Sequence, residues 1–130
     1  MVVKTNYCAT VEPQFVDWEQ VDLLVGDKTV LPDEVRGIYQ DFALDATHRI
    51  RELKESLHLT EKEVLSKNAH YLKGAARSLG FVDLSNRLGH IEYLHRTPSD
   101  REWDRLVSQL EKSLISSMAK LEDRFPSLRS

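Results

Sequence analysis

The chain has 130 residues, a net charge of −3 and a pI near 5.9, with 41% hydrophobic and 30% charged residues. That length suits one domain that buries its own core, and the composition excludes a disordered chain. The acidic balance excludes a globally basic nucleic-acid binder, the lone Cys8 excludes an internal disulfide, and no apolar run reaches the roughly 18 residues of a membrane span.

Residues 1–14 read as a polar tail and 15–125 as one domain. No stretch alternates at period two, so helices are expected throughout. In the first, short helix Asp17 is placed to cap, Gln20 follows three residues later, and Gly26 closes. A loop then leads to Pro32 near the next helix start, where a missing N–H costs nothing. Val35, Ile38, Phe42, Ala46, Ile50, Leu53 and Leu57 recur at three and four, which predicts a second helix of about 24 residues. Thr60 and Glu63 form a capping box for the third helix, which runs to Gly80. Asp83 is placed to cap a fourth helix of about 13 residues. "TPSD" at 97–100 sets a cap, a first-turn proline and an acid in order. Trp103, Leu106, Leu110, Leu114, Met118 and Leu121 then mark the last helix, and Pro126 follows its end. The expected fold is all-α: an up-and-down four-helix bundle with an additional short N-terminal helix.

On a helical wheel the third helix gathers Leu65, Leu72 and Leu79 into a core stripe, flanked by Val64, Ala75 and Ala76. The opposite face centres on His70 and carries Ser66, Lys67, Lys73, Gly74, Arg77 and Ser78. A solvated face would explain the polarity but not the glycine, which costs roughly 1 kcal/mol relative to Ala in mid-helix. Gly74 lies one turn beyond His70 and strips cover from beside the imidazole, so another backbone can approach. Lys67, Lys73 and Arg77 place positive charge around it, which suits an anionic group on a ring nitrogen. Histidine titrates near neutrality and acts as a covalent nucleophile when one nitrogen is free and the other held. Glu92, beside the Leu84, Leu88 and Ile91 seam of the fourth helix, is a candidate holder of Nδ1–H. Spacing equally allows it to pair with His95, three residues on.

These residues resemble a known pattern. "AHYLKGAARSLGF", residues 69–81, is similar to the phosphorylation-site signature of histidine-containing phosphotransfer (HPt) domains, close to A-H-x-L-K-G-x-x-x-x-L-G. Ala69, His70, Leu72, Lys73, Gly74, Leu79 and Gly80 match, and the helix order follows the family over about residues 15–123. The resemblance implies that His70 accepts a phosphoryl group from a receiver-domain aspartyl phosphate and passes it to another receiver aspartate. It makes Lys73 the phosphoryl-stabilising cation, Gly74 the gap for the receiver and Glu92 an orienter of the imidazole. Lys67, Arg77 and Ser78 join Gly74 as candidate partner contacts. Two positions depart from the pattern: Ala75, where serine is common, and Tyr71, where a small or hydroxylic residue is common. The resemblance further implies a phosphocarrier rather than an enzyme, with no cofactor of its own. Mg²⁺ would come with the receiver domain of a response regulator or hybrid histidine kinase. The sequence has no Walker or dinucleotide fingerprint and no kinase-like glycine loop. A cytoplasmic, free-standing monomer is the expectation, with no nucleic-acid or membrane partner.

Two rivals remain open from residues alone. Glu92-x-x-His95 and Asp45-x-x-His48 echo the ligand pairs of metal-binding helical bundles, although no helix supplies the further inward glutamates such sites use. A receiver-docking module without phosphorylation is the other, though such a module would be expected to lose His70 or Lys73. Val21 and Leu24 of the first helix are candidate docking hydrophobics.

Overall fold

A computed structural model describes residues 14–26, 30–56, 62–94 and 98–129. Among these residues there are five α-helices and no strand: α1 (Trp18–Val25), α2 (Asp33–Ser56), α3 (Lys62–Ser78), α4 (Val82–Glu92) and α5 (Asp100–Arg124). A 3₁₀ turn at Pro126–Arg129 follows. Thr60 of the expected capping box, together with Cys8, Leu57, His95 and Thr97, falls outside what is described.

The apolar spacing builds the bundle. Antiparallel α3 and α4 make the most extensive packing, and α5 lies against both α2 and α4. α3 buries Leu65, Ala69, Leu72 and Ala76; α4 buries Leu84, Leu88 and Ile91; α5 buries Trp103, Val107, Leu110, Leu114 and Leu121. Fully burying one such aliphatic side chain is worth roughly 1.5–3 kcal/mol. Two expected core positions differ. Ile38 is half exposed, and its neighbour Tyr39 enters the core instead, because its hydroxyl finds an acceptor there: it donates to the Leu79 carbonyl at 2.8 Å. Val64 lies at the edge of the α3 stripe and remains 45% exposed. Across the core Trp103 Nε1 donates to the Leu53 carbonyl at 2.9 Å, tying α5 to α2.

Helix boundaries follow capping chemistry, with two shifts. The Asp17 carboxylate caps α1 by accepting from the Glu19 and Gln20 backbone N–H groups, and Gly26 closes it at φ 77. Pro32 stands just before α2, its carbonyl accepting from Arg36 N. Phe81, not Asp83, occupies the N-cap of the eleven-residue α4. Asp83 sits inside the first turn, where its carboxylate accepts from Arg87 Nε at 2.9 Å and Ser113 Oγ at 2.6 Å. Its negative charge still favours the helix N-terminus, but its oxygens bind α4 to α5. Likewise Ser99 caps α5 by accepting from Glu102 N, and Pro98 precedes the cap rather than filling the first turn.

The end of α3 is where the short helix docks. Gly80 has φ 88, and Phe81 N donates to the Ala76 carbonyl while Gly80 N donates to that of Arg77, the Schellman pattern. The Gly80 carbonyl accepts from Asp17 N at 2.7 Å, and the Ser78 carbonyl accepts from Gln20 Nε2 at 2.9 Å. Phe81 packs against Tyr39 and Phe42, with ring centroids 6.0 and 5.1 Å away. Arg124 also holds α1, pairing with Asp22 at 2.9 Å and lying over the Trp18 ring.

Candidate functional site

α3 and α4 lie side by side, so the polar face of α3 meets the C-terminal turn of α4. His70 stands out from that seam with 69% of its side chain exposed, whereas Glu92 beneath it is only 10% exposed. Glu92 Oε2 lies 2.5 Å from His70 Nδ1, and Glu92 Oε1 lies 2.6 Å from Lys73 Nζ. Ser66 Oγ donates to the Glu92 carbonyl at 3.1 Å, one turn below His70, and anchors the residue that carries the carboxylate. Of the two partners that spacing allowed Glu92, the one seen is His70.

A carboxylate can only accept, so Nδ1 carries the ring proton and a neutral His70 presents Nε2 as a bare lone pair toward solvent. The Glu92 carboxyl is held below its ordinary value chiefly by the hydrogen bond from Lys73, against some opposing desolvation, with His70 adding to the effect. Lys73 is held above its ordinary value for the reciprocal reason, its hydrogen bond to Glu92. Glu92 therefore stays ionised and Lys73 protonated through the neutral range.

Lys73 departs from the placement expected of it. The wheel sets it on the His70 face with Lys67 and Arg77, yet only 17% of its side chain is exposed and its ammonium turns onto α4. There it meets Glu92 and lies 5.1 Å from the centre of the Tyr93 ring. The positive surroundings of His70 are thus uneven. Lys67 and Arg77 are exposed on α3, while the Lys73 charge is matched by Glu92. Ser78 Oγ is engaged within its own helix, donating to the Gly74 carbonyl at 3.0 Å. Gly74 itself faces open space: a Cβ placed there would meet nothing within 4 Å.

On the other side of His70, the half-exposed Tyr71 lies under the Arg49 guanidinium, 4.5 Å from the ring centre. Arg49 Nε in turn contacts both carboxylate oxygens of Asp45 at 3.0 and 3.1 Å. Asp45 is therefore engaged away from His48, which faces Glu52 at 3.7 Å on the exposed side of α2. Among the described residues no three His, Cys, Asp or Glu side chains are grouped to hold a metal ion. Val21, a candidate docking hydrophobic, is wholly buried against the end of α3; Leu24 is 37% exposed beside the fully outward Leu23. None of the helices among the described residues is long and apolar enough to cross a membrane.

Three neighbours of the site were not singled out by motif reasoning: Arg49, Gly89 and Tyr93. For the last two a signal exists, since Gly89, Glu92 and the C-cap Tyr93 follow at i, i+3 and i+4 along one side of α4 and its end.

No curated protein sequence matches the chain. The sequence model of one family, described as the Hpt domain, matches residues 37–122, from the second turn of α2 nearly to the end of α5. The chain belongs to the Hpt domain family, with α1 lying outside the matched segment.

Proposed function

We propose that this Hpt-domain chain is a phosphorelay carrier: His70 takes a phosphoryl group from a receiver aspartyl phosphate and hands it to the aspartate of another receiver. Hpt domains act in phosphotransfer of two-component signalling and interact with receiver domains. The observation that carries the finer reading is the exposed imidazole whose Nδ1 is held by a largely buried carboxylate.

In the forward step the Nε2 lone pair attacks phosphorus in line. An N–P bond forms as the acyl P–O bond breaks, and the receiver's aspartate leaves as a carboxylate. The ring gains positive charge, which Glu92 stabilises through Nδ1–H. Handing the group on reverses these bonds on a second aspartate. From its place on Glu92, Lys73 stabilises charge on the phosphoryl oxygens as a point charge that needs no bidentate geometry. Gly74 leaves room for the receiver backbone, and Lys67, Arg77 and Ser78 line its approach. Mg²⁺ belongs to the receiver, and this chain supplies the nucleophile, the Glu92 and Lys73 charges beside it and the docking surface. Such a carrier works as a monomer in the cytoplasm and catalyses nothing alone.

The test is intact mass after incubation with a phosphorylated receiver domain, comparing wild type with His70→Gln. One phosphate on wild type alone, lost in acid and kept in base, is expected. Measurable binding without label, across several receivers, would sink the carrier reading in favour of a docking module.

A further inference from the structure

His70 and Lys73 share one carboxylate, and part of what keeps Lys73 there lies outside the motif. The Lys73 stem crosses α4 at Gly89, where a Cβ would stand 3.7 Å from its Cδ. Its ammonium then sits 2.6 Å from Glu92 Oε1, with the face of Tyr93 5.1 Å away. We infer that Gly89 and Tyr93 form a seat for the Lys73 side chain and are positioning residues for transfer at His70, an inference that rests on the carrier reading above.

The physical need is specific. A bare carboxylate on the Nδ1 side of the ring repels an incoming phosphoryl dianion across a few ångströms. Lys73 on Oε1 cancels that charge while Oε2 remains free for the ring. A lysine has many rotamers and loses most of them when placed, so Glu92 alone is a loose tether for it. The Tyr93 ring attracts the ammonium without competing for a carboxylate oxygen, and Gly89 lets the stem lie flat on the helix. Glu92 first, and the Tyr93 hydroxyl to a lesser degree, also favour the charged form of Lys73. The phosphoryl group then meets a cation already beside the ring.

Tyr93 is 64% exposed, and a Cβ at Gly89 makes only ordinary contact, so variants at both sites should fold. The experiment follows the Lys73 side-chain ammonium by ¹⁵N NMR in the free protein, and the phosphoryl-transfer rate and binding constant with one receiver. A confined Lys73 signal is expected in wild type, Tyr93→Phe and Gly89→Ala. Tyr93→Leu and Gly89→Leu should lose it and transfer about 2- to 5-fold more slowly, the worth of one exposed cation–π contact, with receiver binding unchanged. The His70 ring should keep its Nδ1–H tautomer, held by Glu92, in all five proteins. Unaltered ammonium signal and rate in the leucine variants would overturn the seat while leaving the carrier reading intact. A wild type with a confined Lys73 that takes no phosphoryl group would overturn the carrier reading, and the positioning role with it.

Discussion

Gly74 and Gly80 stand six residues apart in one stretch of chain and are there for opposite reasons. Around Gly80 every group is engaged. Its φ is 88, its carbonyl accepts from Asp17 N, and an added Cβ would come within 3.0 Å of both the Asp17 carbonyl oxygen and Val21 Cγ2. Around Gly74 the backbone is ordinary helix, and an added Cβ would touch nothing. One glycine is demanded by the fold. The other weakens its helix with no return in packing, at the point where the nucleophile is most open. The comparison separates the end of α3, which assembles the bundle, from its middle, which the bundle leaves bare.

Substitutions at the assembling end should have the largest effect on stability. Gly80→Ala forces a side chain into the left-handed region, roughly 1–2 kcal/mol by itself, and into contact with the α1 backbone. A total loss of about 2–4 kcal/mol is expected from urea unfolding. A loss under about 1 kcal/mol would mean that α1 is not docked through Gly80 as described. Tyr39→Phe, at the same end, leaves the buried Leu79 carbonyl without its donor. It should cost about 1–2 kcal/mol by the same measurement.

The middle of the helix should respond in the other direction. Gly74→Gln is expected to raise stability by about 0.5 kcal/mol, because it replaces glycine with a better helix former in open space. The same variant should transfer phosphoryl groups poorly, since its side chain covers the approach to His70. Normal transfer by that variant would remove the access argument and leave Gly74 unexplained.

The smallest effect is expected from the site's charges, which solvent screens. Glu92 has a folded value below its ordinary 4.5, so its stabilising contribution is present above that pH and is lost as pH falls through the depressed value. Lys73 is shifted upward, so its contribution is present below its ordinary 10.5 and is lost only as pH rises beyond it. The stability difference between wild type and Glu92→Gln should therefore be level at neutral pH and shrink in acid. A difference that grew in acid would contradict the ion pair.

Much of this molecule was legible in its residues. Spacing at three and four made the chain helical, because one face of each helix must leave water. Asp17 and Gly26 bounded α1 through local hydrogen bonds that need no distant partner. The string from Ala69 to Gly80 carried the family, and the matched segment agrees with it. Where the outcome turned on a distant partner, residues alone were silent or wrong. Ile38 and Tyr39 are adjacent on α2, and the Leu79 carbonyl, 40 residues away, decided which one entered the core. Asp83 had the chemistry of a cap but met Arg87 and Ser113 instead. Glu92 had two open partners, and the packing of α3 on α4 brought it to His70 and drew Lys73 to it. Periodicity and capping are local energies, so the sequence by itself determined the helices and the identity of the motif. Which charges face one another depends on how those helices pack, and only the tertiary structure decided that.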